Sequence, residues 1–322
     1  MMTLPDFMQK QIIFVTVMNG EKISFLNDNL IVKDKTEKVI LQVTCFRILM
    51  LCIVGGFSFT SEIVYNSKKF SFPIYLLTSG LKLINKISNA MEGNVILRRH
   101  QYEYNGLGLA KFIVFNKVSN QLAVIESKRK KSPDDYVGIT KLKDYLERIN
   151  GFDDNGLSEL LSLEGNAAKI YFKLHFDTIE WKGRKPRVKF DVVNSILDIG
   201  YSILFNFIEC ILDFFGFDLY CGVLHQQFFM RKSLVCDIVE PFRVIIDVQV
   251  KKSLNLKQFR KDDFVFHNGA YSLNWNLNKK YVSVFLEAIL EYKSDIFCFI
   301  LSYYRAFMKQ LDVKNYEMFR WH

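Results

Sequence analysis

The hydrophobic residues of the first part of the chain occur in short runs that predict β-strands. Asn19-Gly20 lies between two β-rich runs, an arrangement that predicts a hairpin turn. A second turn at residues 27–29 returns the chain to another apolar run. Further runs rich in Ile, Val and Leu follow at residues 46–54 and 72–78. The pattern predicts a β-rich domain over residues 1–92, and a helix over residues 38–51 is the alternative for one of its apolar segments.

From Asn94 onward the apolar positions recur at helical spacing. Ser132, followed by Pro133 and two acids, has the features of a helix start. Further helical patterns cover residues 94–131, 156–179, 191–217, 225–252 and 281–311. The sequence therefore predicts an α+β protein, with an N-terminal mostly-β domain followed by a larger all-α domain over residues 93–322.

No apolar segment combines the length and composition expected of a membrane span. The run at residues 48–61 is only 14 residues long, and a spanning helix needs about 20. The longer run at residues 196–217 contains Asp198, Glu209 and Asp213. The N-terminal residues lack a basic region followed by a long apolar core, and the six cysteines form no C-x-x-C pair. We expect a cytoplasmic protein with buried free thiols and no membrane association.

Composition points to a large folded core and an anionic partner. Half of the 322 residues are hydrophobic and 15% are aromatic, which excludes global disorder and is ample for two domains. The net charge of +9 favours nucleic acid or a lipid surface without choosing between them. Each basic cluster alone could be a solvated loop, but four clusters around one helical domain favour a nucleic-acid track. They lie at residues 97–100, 127–131, 181–189 and 250–261.

A histidine and two carboxylates stand in an otherwise apolar and basic segment. Asp237 and Glu240 are three residues apart, which places them on one face of a helix. Pro241 follows and lacks the N–H that would bond to the carbonyl of Asp237, so we expect a kink there. His225 lies about a dozen residues earlier, close to the conformationally free Gly222.

Two interpretations of this group remain open on the residues alone. In the structural one, Glu240 pairs with Arg243, Asp237 pairs with a lysine, and His225 is a satisfied core residue. In the functional one, the group holds a divalent metal such as Mg²⁺ or Mn²⁺ through mixed oxygen and imidazole ligands. Glu164 is the candidate third ligand, and the small residues that begin at Gly165 predict close packing of its helix.

Four motifs in this order resemble one known family over essentially the whole chain. They are SLEGNAAKIYF, NSILDIGYSILF, GVLHQ and SLVCDIVEPFR, and LRRHQYE at residues 97–103 is similar to the opening of the family's helical domain. Together they resemble the integrase family of CRISPR adaptation, the first-numbered CRISPR-associated protein. The third and fourth motifs carry the histidine and the two acids discussed above.

The resemblance implies a set of site residues. The metal ligands would be Glu164, His225 and Glu240, and Asp237 would be a supporting catalytic residue near the metal. The ion would be Mg²⁺ or Mn²⁺. Four arginines are candidate DNA contacts: Arg98, Arg99, Arg231 and Arg243.

The resemblance also implies an activity and partners. The chain would be a metal-dependent DNA integrase and endodeoxyribonuclease that inserts short DNA fragments, the spacers, into a repeat array by attack of a 3′-hydroxyl on a phosphodiester. It would act on double-stranded DNA as a homodimer, with dimer contacts from the N-terminal strands and a small ferredoxin-fold partner subunit. A non-catalytic DNA-binding scaffold subunit is the main alternative, and a membrane-associated basic protein is a third possibility.

Overall fold

Two sheets form the N-terminal part of the computed structural model, which describes residues 2–56, 58–87, 93–152, 156–185 and 189–322. The first sheet has the order β1-β5-β6-β7, parallel except for the antiparallel β6–β7 pair, and the second is the antiparallel β2-β3-β4. The strands are β1 (Gln11–Thr16), β2 (Lys22–Leu26), β3 (Asn29–Lys33), β4 (Val39–Thr44), β5 (Ile48–Val54), β6 (Ile74–Leu77) and β7 (Leu83–Ile87). The predicted mostly-β N-terminal region is confirmed.

The predicted hairpin at Asn19-Gly20 is wrong, and so is the helix considered for residues 38–51. Strand β1 pairs in parallel with β5, so the chain leaves the first sheet after β1 and builds the second sheet before it returns. The turn predicted at residues 27–29 is confirmed, because a tight hairpin joins β2 to β3 through Asn27 and Asp28, both with positive φ. Residues 38–51 are mostly β4 and the start of β5, joined by a 3₁₀ turn.

Strand β5 is the centre of the N-terminal region because every one of its residues is buried. Leu51 and Ile53 face a small core shared with the second sheet and with the helix Ser61–Phe70. Met50 and Cys52 face the main core, which continues into the helical part. The apolar run at residues 48–61 is therefore hydrophobic because its strand is covered on both faces.

Eleven helices are present in the described part of the chain, and two of them lie in the N-terminal region. The helices are α1 (Leu4–Gln9), α2 (Ser61–Phe70), α3 (Val95–Glu103), α4 (Gly108–Glu126), α5 (Pro133–Asn150), α6 (Leu157–His175), α7 (Val192–Phe215), α8 (Ser233–Val239), α9 (Arg243–Asn255), α10 (Asn278–Glu291) and α11 (Lys293–Met308). Ser132 caps α5 in a capping box with Asp135, as the helix-start pattern predicts. The proposed domain boundary at residue 92 falls on residues 88–92, which lie outside the described residues.

The helical part is not all α, because it contains the hairpin of β8 (Phe264–His267) and β9 (Ala270–Leu273). Its turn is Asn268-Gly269, and both residues have positive φ. This second Asn-Gly pair forms the kind of hairpin that was predicted for the first. The dipeptide alone therefore does not decide which Asn-Gly pair of the chain forms a hairpin.

Helix α7 is the core helix around which the helical part packs. It is the one helix in the described ranges that is long and apolar enough to cross a membrane, and 83% of its most apolar window is buried inside the protein. Its buried Glu209 pairs with Lys86 of β7 at 2.5 Å and with Lys232 at 2.8 Å. Glu209, one of the acids that interrupt this apolar run, therefore fastens the sheet and the loop before α8 to the core. A Cβ added to Gly200 would lie 2.5 Å from Cγ2 of Ile246, so α7 and α9 approach closely there.

Candidate active site

The structure brings Glu164, His225 and Glu240 to the wall of one large cavity of about 1920 Å³. Glu164 projects from the middle of α6, and His225 lies in the loop between α7 and α8. Glu240 begins the 3₁₀ turn that joins α8 to α9. Three residues that are far apart in sequence therefore share one site.

Asp237 is fully buried and organises the loop that carries His225. Its carboxylate accepts backbone N–H bonds from Val223 at 2.6 Å, from Leu224 at 3.0 Å and from His225 at 2.9 Å. It also lies 2.6 Å from Nδ1 of His225. Because an ionised carboxylate only accepts hydrogen bonds, we assign the proton to Nδ1, which leaves Nε2 as the free ring nitrogen.

Gly222 allows the loop to approach Asp237 this closely. A Cβ at residue 222 would lie 2.7 Å from Oδ2 of Asp237 and 2.7 Å from Cβ of Ser233. Any side chain at this position would therefore displace the carboxylate or the start of α8.

The helix break expected at Pro241 is present, and it begins at the second of the two acids. Helix α8 ends at Val239, a 3₁₀ turn covers residues 240–242, and α9 begins at Arg243. The side-chain amide of Asn120 on α4 donates to the carbonyl oxygen of Pro241 at 3.3 Å. Asp237 contacts the His225 loop, whereas Glu240 contacts α4. Glu240 keeps the helical backbone angles φ −54° and ψ −47°, so the i,i+3 spacing on which the expectation of a shared helix face rests is retained up to the 3₁₀ turn.

Lys117 of α4 lies between two of the predicted ligands. Its ammonium pairs with Oε1 of Glu164 and lies 2.6 Å from Oε2 of Glu240. Burial disfavours the ammonium, but Glu240 and then Glu164 outweigh this effect and raise the pKa of Lys117. One buried cation thus joins the two carboxylates.

Arg243 places a second positive charge next to Glu240. Its Nε lies 3.0 Å from Oε2 of Glu240, and its guanidinium lies 4.6 Å from the centre of the Tyr201 ring. Burial opposes the carboxylate charge, yet Arg243 and then Lys117 lower the pKa of Glu240 to about 2. Glu240 is therefore ionised and held in place at neutral pH. The pair of Glu240 with Arg243 that the structural interpretation expects is therefore present. Both residues also line the cavity that the functional interpretation requires.

Tyr201 lies in the second motif, NSILDIGYSILF, and supports Arg243. Its hydroxyl donates to Oδ1 of the buried Asp247, and the guanidinium of Arg184 lies 5.2 Å from its ring centre. Burial raises the pKa of Asp247 to about 6 against the opposing hydrogen bond from Tyr201. The ring is thus placed by its neighbours so that it can receive Arg243 on its face.

The donor atoms suit a divalent cation, although a lysine holds the carboxylates together. No group of three or more His, Cys, Asp or Glu side chains among the described residues is arranged to hold a metal ion. Glu164 and Glu240 nevertheless converge on one cation, the Lys117 ammonium, and His225 lines the same cavity with Nε2 free. Two hard oxygens and one imidazole nitrogen match the preferences of Mg²⁺ and Mn²⁺. The residues therefore fit the ion chemically. To bind there, the ion would displace the Lys117 ammonium from between Glu164 and Glu240.

The cavity wall is rich in positive charge. Ten Lys or Arg and seven Asp or Glu line it, and the basic residues include Arg184 and Lys185 from the 181–189 cluster. Residues 186–188 of that cluster lie outside the described residues. Arg231 and Arg243 line the cavity, whereas Arg98 and Arg99 lie on α3 away from it. Arg98 donates to the carbonyl oxygen of Gly216 at 3.2 Å.

The small residues after Glu164 keep the cavity open. A Cβ on Gly165 would meet no atom within 4 Å, and Gly165 and Ala168 both line the cavity. The expectation that this segment packs closely against another element holds for the buried Ala167 and is wrong for Gly165. Space next to Glu164 is the consequence.

Sequence reasoning missed Lys117 and Asn120. The signal was available, because both are polar residues inside the apolar helix pattern FIVFNKVSNQLAVI. Lysine is almost never fully buried unless it is paired. A lysine flanked by apolar residues on such a helix therefore indicates a buried acidic partner, although the sequence does not say which one.

The comparison with protein families gives one match over most of the chain. The model of the family described as CRISPR associated protein Cas1 matches residues 14–287. The CRISPR-associated endonuclease Cas1 1 of Archaeoglobus fulgidus is 26% identical over 299 residues, which are 84% of this chain and 86% of that protein.

Solved structures share the fold at low sequence identity. A Cas6-RT-Cas1–Cas2 complex contains a chain that matches 97% of this one with a TM-score of 0.80 and 19% identity, and the match covers 36% of that longer chain. A casposase bound to integration product matches 97% of this chain and 96% of its own, with a TM-score of 0.72 and 20% identity. These likenesses confirm the α+β architecture.

Proposed function

We infer the function from one premise: the chain belongs to the CRISPR associated protein Cas1 family, whose model matches residues 14–287. It is therefore a protein of the endonuclease and integrase kind in CRISPR adaptation. We propose the finer activity, a metal-dependent joining of short DNA fragments to a repeat array. The observation that supports it best is that Glu164, His225 and Glu240 line one basic cavity. Within it, the Lys117 ammonium already joins the two glutamates.

In the proposed reaction the 3′-hydroxyl oxygen of the fragment attacks a phosphorus atom of the repeat. A new P–O bond forms, the bond to the repeat's 3′-oxygen breaks, the hydroxyl proton is lost to solvent, and the departing oxygen takes up a proton. Glu164, Glu240 and Nε2 of His225 would hold the Mg²⁺ or Mn²⁺. The bound ion would polarise the phosphate and offset the charge on the departing oxygen.

The chain's own residues would position the reactants. Asp237 fixes the Nδ1–H tautomer of His225, so Nε2 stays free for the site. Arg243, held by Tyr201, keeps Glu240 ionised and in place. The basic lining of the cavity would bind DNA phosphates with little dependence on sequence and with strong salt sensitivity.

A joining assay tests this proposal. A labelled fragment with a 3′-hydroxyl is mixed with a supercoiled repeat plasmid, Mn²⁺ or Mg²⁺, and the protein, with and without the small partner subunit. We expect labelled plasmid with either ion and none in EDTA. A matched fragment that ends in a 3′-dideoxynucleotide is the control, and equal labelling from that fragment would rule out attack by the 3′-hydroxyl.

Replacing Asp237 by asparagine tests the positioning role separately. We expect Mn²⁺ affinity and joining to fall by about 10- to 100-fold, as for other residues that orient a metal-binding histidine. The shape of the side chain is kept, but its amide group cannot accept all the N–H bonds that the carboxylate accepts now. Nitrogen NMR of the imidazole would report the tautomer of His225. An unchanged tautomer with unchanged Mn²⁺ affinity would contradict the role of Asp237.

A non-catalytic DNA-binding scaffold is the second candidate. It is favoured by one observation: Lys117 and Arg243 already neutralise Glu240, so the charge of this carboxylate is balanced without a metal. Titration calorimetry with Mn²⁺ separates the two functions. The scaffold predicts DNA binding without any metal uptake at the cavity.

We further propose that the chain forms homodimers through its N-terminal sheet and works with a small ferredoxin-fold partner on double-stranded DNA in the cytoplasm. The β2-β3-β4 sheet and the turn that follows it expose Leu26, Ile40 and Phe46, each more than half accessible. The solved Cas6-RT-Cas1–Cas2 complex, one chain of which is similar to this chain, supports a partner subunit.

Light scattering at micromolar concentration should give twice the chain mass of 37.8 kDa. Leu26→Lys together with Ile40→Lys should lower it toward the monomer, because both put charge on the exposed apolar surface. Leu256→Lys, at an equally exposed apolar residue of the helical part, is the control. A monomeric wild-type chain would contradict the dimer.

A further inference from the structure

Gln121 contributes a buried oxygen to the cavity wall that has no hydrogen-bond partner among the described residues. The residue lies on α4, is 2% exposed and lines the cavity. Its Oε1 atom is enclosed, and no donor in the described part of the chain reaches it. A buried acceptor without a donor destabilises a fold, so such an atom in a cavity wall indicates that a donor binds there in another state of the molecule.

The other unpartnered buried oxygens of this wall, within the described ranges, already have partners of another kind. Oε2 of Glu240 lies 2.6 Å from the Lys117 ammonium. Asp247 accepts the Tyr201 hydroxyl through its other oxygen and lies near two guanidinium groups. Of the described wall residues, Gln121 therefore offers the buried oxygen that has neither a hydrogen bond nor an ion-pair partner.

Lys117 lies one helical turn before Gln121 on the same face of α4. Side chains four residues apart on a helix are neighbours, with Cβ atoms about 5–6 Å apart. Side chains on a helix also lean toward its N-terminus, which directs Gln121 toward the turn that carries Lys117. The lysine ammonium has three N–H donors on a flexible four-carbon chain, so the amide oxygen is within its reach.

The proposed metal site would require Lys117 to move. Its ammonium lies between Glu164 and Glu240, where a bound Mg²⁺ or Mn²⁺ would be held. Two cations in contact with the same pair of carboxylates would repel each other strongly in a buried site. The displaced ammonium would remain inside the protein, and a buried ammonium needs an acceptor.

Two further carboxylates of the wall already hold other cations. Oδ1 of Asp135 lies 2.7 Å from the Lys128 ammonium, and Oδ1 of Asp198 lies 2.6 Å from the Arg184 guanidinium. The neutral amide oxygen of Gln121 can accept the displaced ammonium without breaking an existing ion pair.

We propose that Gln121 is a positioning residue, whose Oε1 accepts the Lys117 ammonium when a divalent cation takes its place between the two glutamates. This inference rests on the proposed metal site and adds the step by which the lysine leaves it. Lys117 then has two positions, one on the glutamates without metal and one on the amide with metal. Gln121 favours metal uptake without contacting the ion.

Gln121→Met tests this role through titration calorimetry with Mn²⁺ and thermal unfolding in EDTA. The substitution keeps the length of the side chain and removes the oxygen. We expect the Mn²⁺ affinity to fall by about 10- to 150-fold, the range for losing a hydrogen bond to a charged group. The melting temperature in EDTA should not fall, because the oxygen has no partner in the metal-free state of the described chain. A lower melting temperature with unchanged affinity would show a purely structural role and overturn the proposal.

The same substitution in the Lys117→Met background separates positioning from direct contact with the metal. Without the ammonium the amide has nothing to accept, so Gln121→Met should change the Mn²⁺ affinity of Lys117→Met by less than about twofold. An equal loss in both backgrounds would overturn the proposal and show that Gln121 contacts the ion or its water. The control is Gln249→Met, at a glutamine of α9 that does not line the cavity, and it should leave Mn²⁺ affinity unchanged in both backgrounds.

Nuclear magnetic resonance of the wild-type protein gives a measurement that does not depend on the folding of Lys117→Met. Mg²⁺ replaces the paramagnetic Mn²⁺ in this experiment. We expect the Overhauser contact between the ε-methylene of Lys117 and the γ-methylene of Gln121 to strengthen as Mg²⁺ is added. An unchanged contact at saturating Mg²⁺ would overturn the proposal.

The outcome stays separate from that of the proposed metal site. If the wild type and Lys117→Met both take up no Mn²⁺, the metal site itself is wrong and this inference falls with it. If the wild-type protein takes up Mn²⁺ and Gln121→Met takes it up equally well, only the role of Gln121 is wrong.

Discussion

Glu164→Gln is expected to abolish strand joining while DNA binding stays within about twofold of the wild type. The substitution keeps the size of the side chain and removes one of the two charges that converge on the cation position. A neutral amide is a poor ligand for Mg²⁺ or Mn²⁺, so we expect a rate loss of at least about 100-fold. His225→Ala should give a similar loss, because it removes the imidazole donor that Asp237 positions.

The control for this prediction is Glu159→Gln. Glu159 lies in the first turn of the same helix, is exposed, and does not line the cavity. Its substitution removes the same charge from α6 and should leave joining unchanged. If Glu164→Gln and His225→Ala both retain strand transfer on supercoiled DNA with Mn²⁺, the assignment of these residues as ligands is wrong.

Lys117→Met is expected to make the protein less stable without metal and more responsive to it. The change leaves the buried Glu240 and the half-buried Glu164 near each other without the ammonium that joins them, a loss of about 3–5 kcal/mol for a broken buried pair. A divalent cation could then supply the missing charge without displacing a lysine. The melting temperature should therefore fall in EDTA and rise more steeply with Mn²⁺ than in the wild type.

Thermal unfolding and calorimetric titration with Mn²⁺ measure both parts of this prediction without any joining reaction. Lys173→Met is the matched control, since Lys173 lines the same cavity but is exposed. It removes the same charge from the cavity without breaking the buried pair. Weaker or unchanged Mn²⁺ affinity in Lys117→Met would show that the ammonium and the metal do not compete for one position.

The two Asn-Gly pairs show how far local sequence determines the strands. Asn268-Gly269 forms the hairpin of β8 and β9, whereas Asn19-Gly20 ends a strand whose partner, β5, comes much later in the chain. Both dipeptides allow the same backbone. Strand pairing depends on which apolar faces can be buried together, and that is a property of the whole fold.

The site shows the same division at the level of single residues. The resemblance of four motifs led to Glu164, His225 and Glu240, and the structure places them on one cavity. The structure suggests how Asp237 could support the site, because its carboxylate accepts hydrogen bonds from both the backbone and the imidazole of His225. The backbone stays helical from Asp237 to Glu240, so the expected i,i+3 spacing of the two acids is kept, and the 3₁₀ turn begins only at Glu240.

By itself the sequence determined the α+β class, the helix start at Ser132, the break at Pro241 and the identity of the acidic and imidazole groups. These follow from spacing and side-chain type, which act over a few residues. Only the tertiary structure decided that Lys117 joins Glu164 to Glu240 and that Phe228 and Phe229 are exposed. Charge pairing and exposure are set by neighbours from distant elements, and no local pattern records which neighbours those will be.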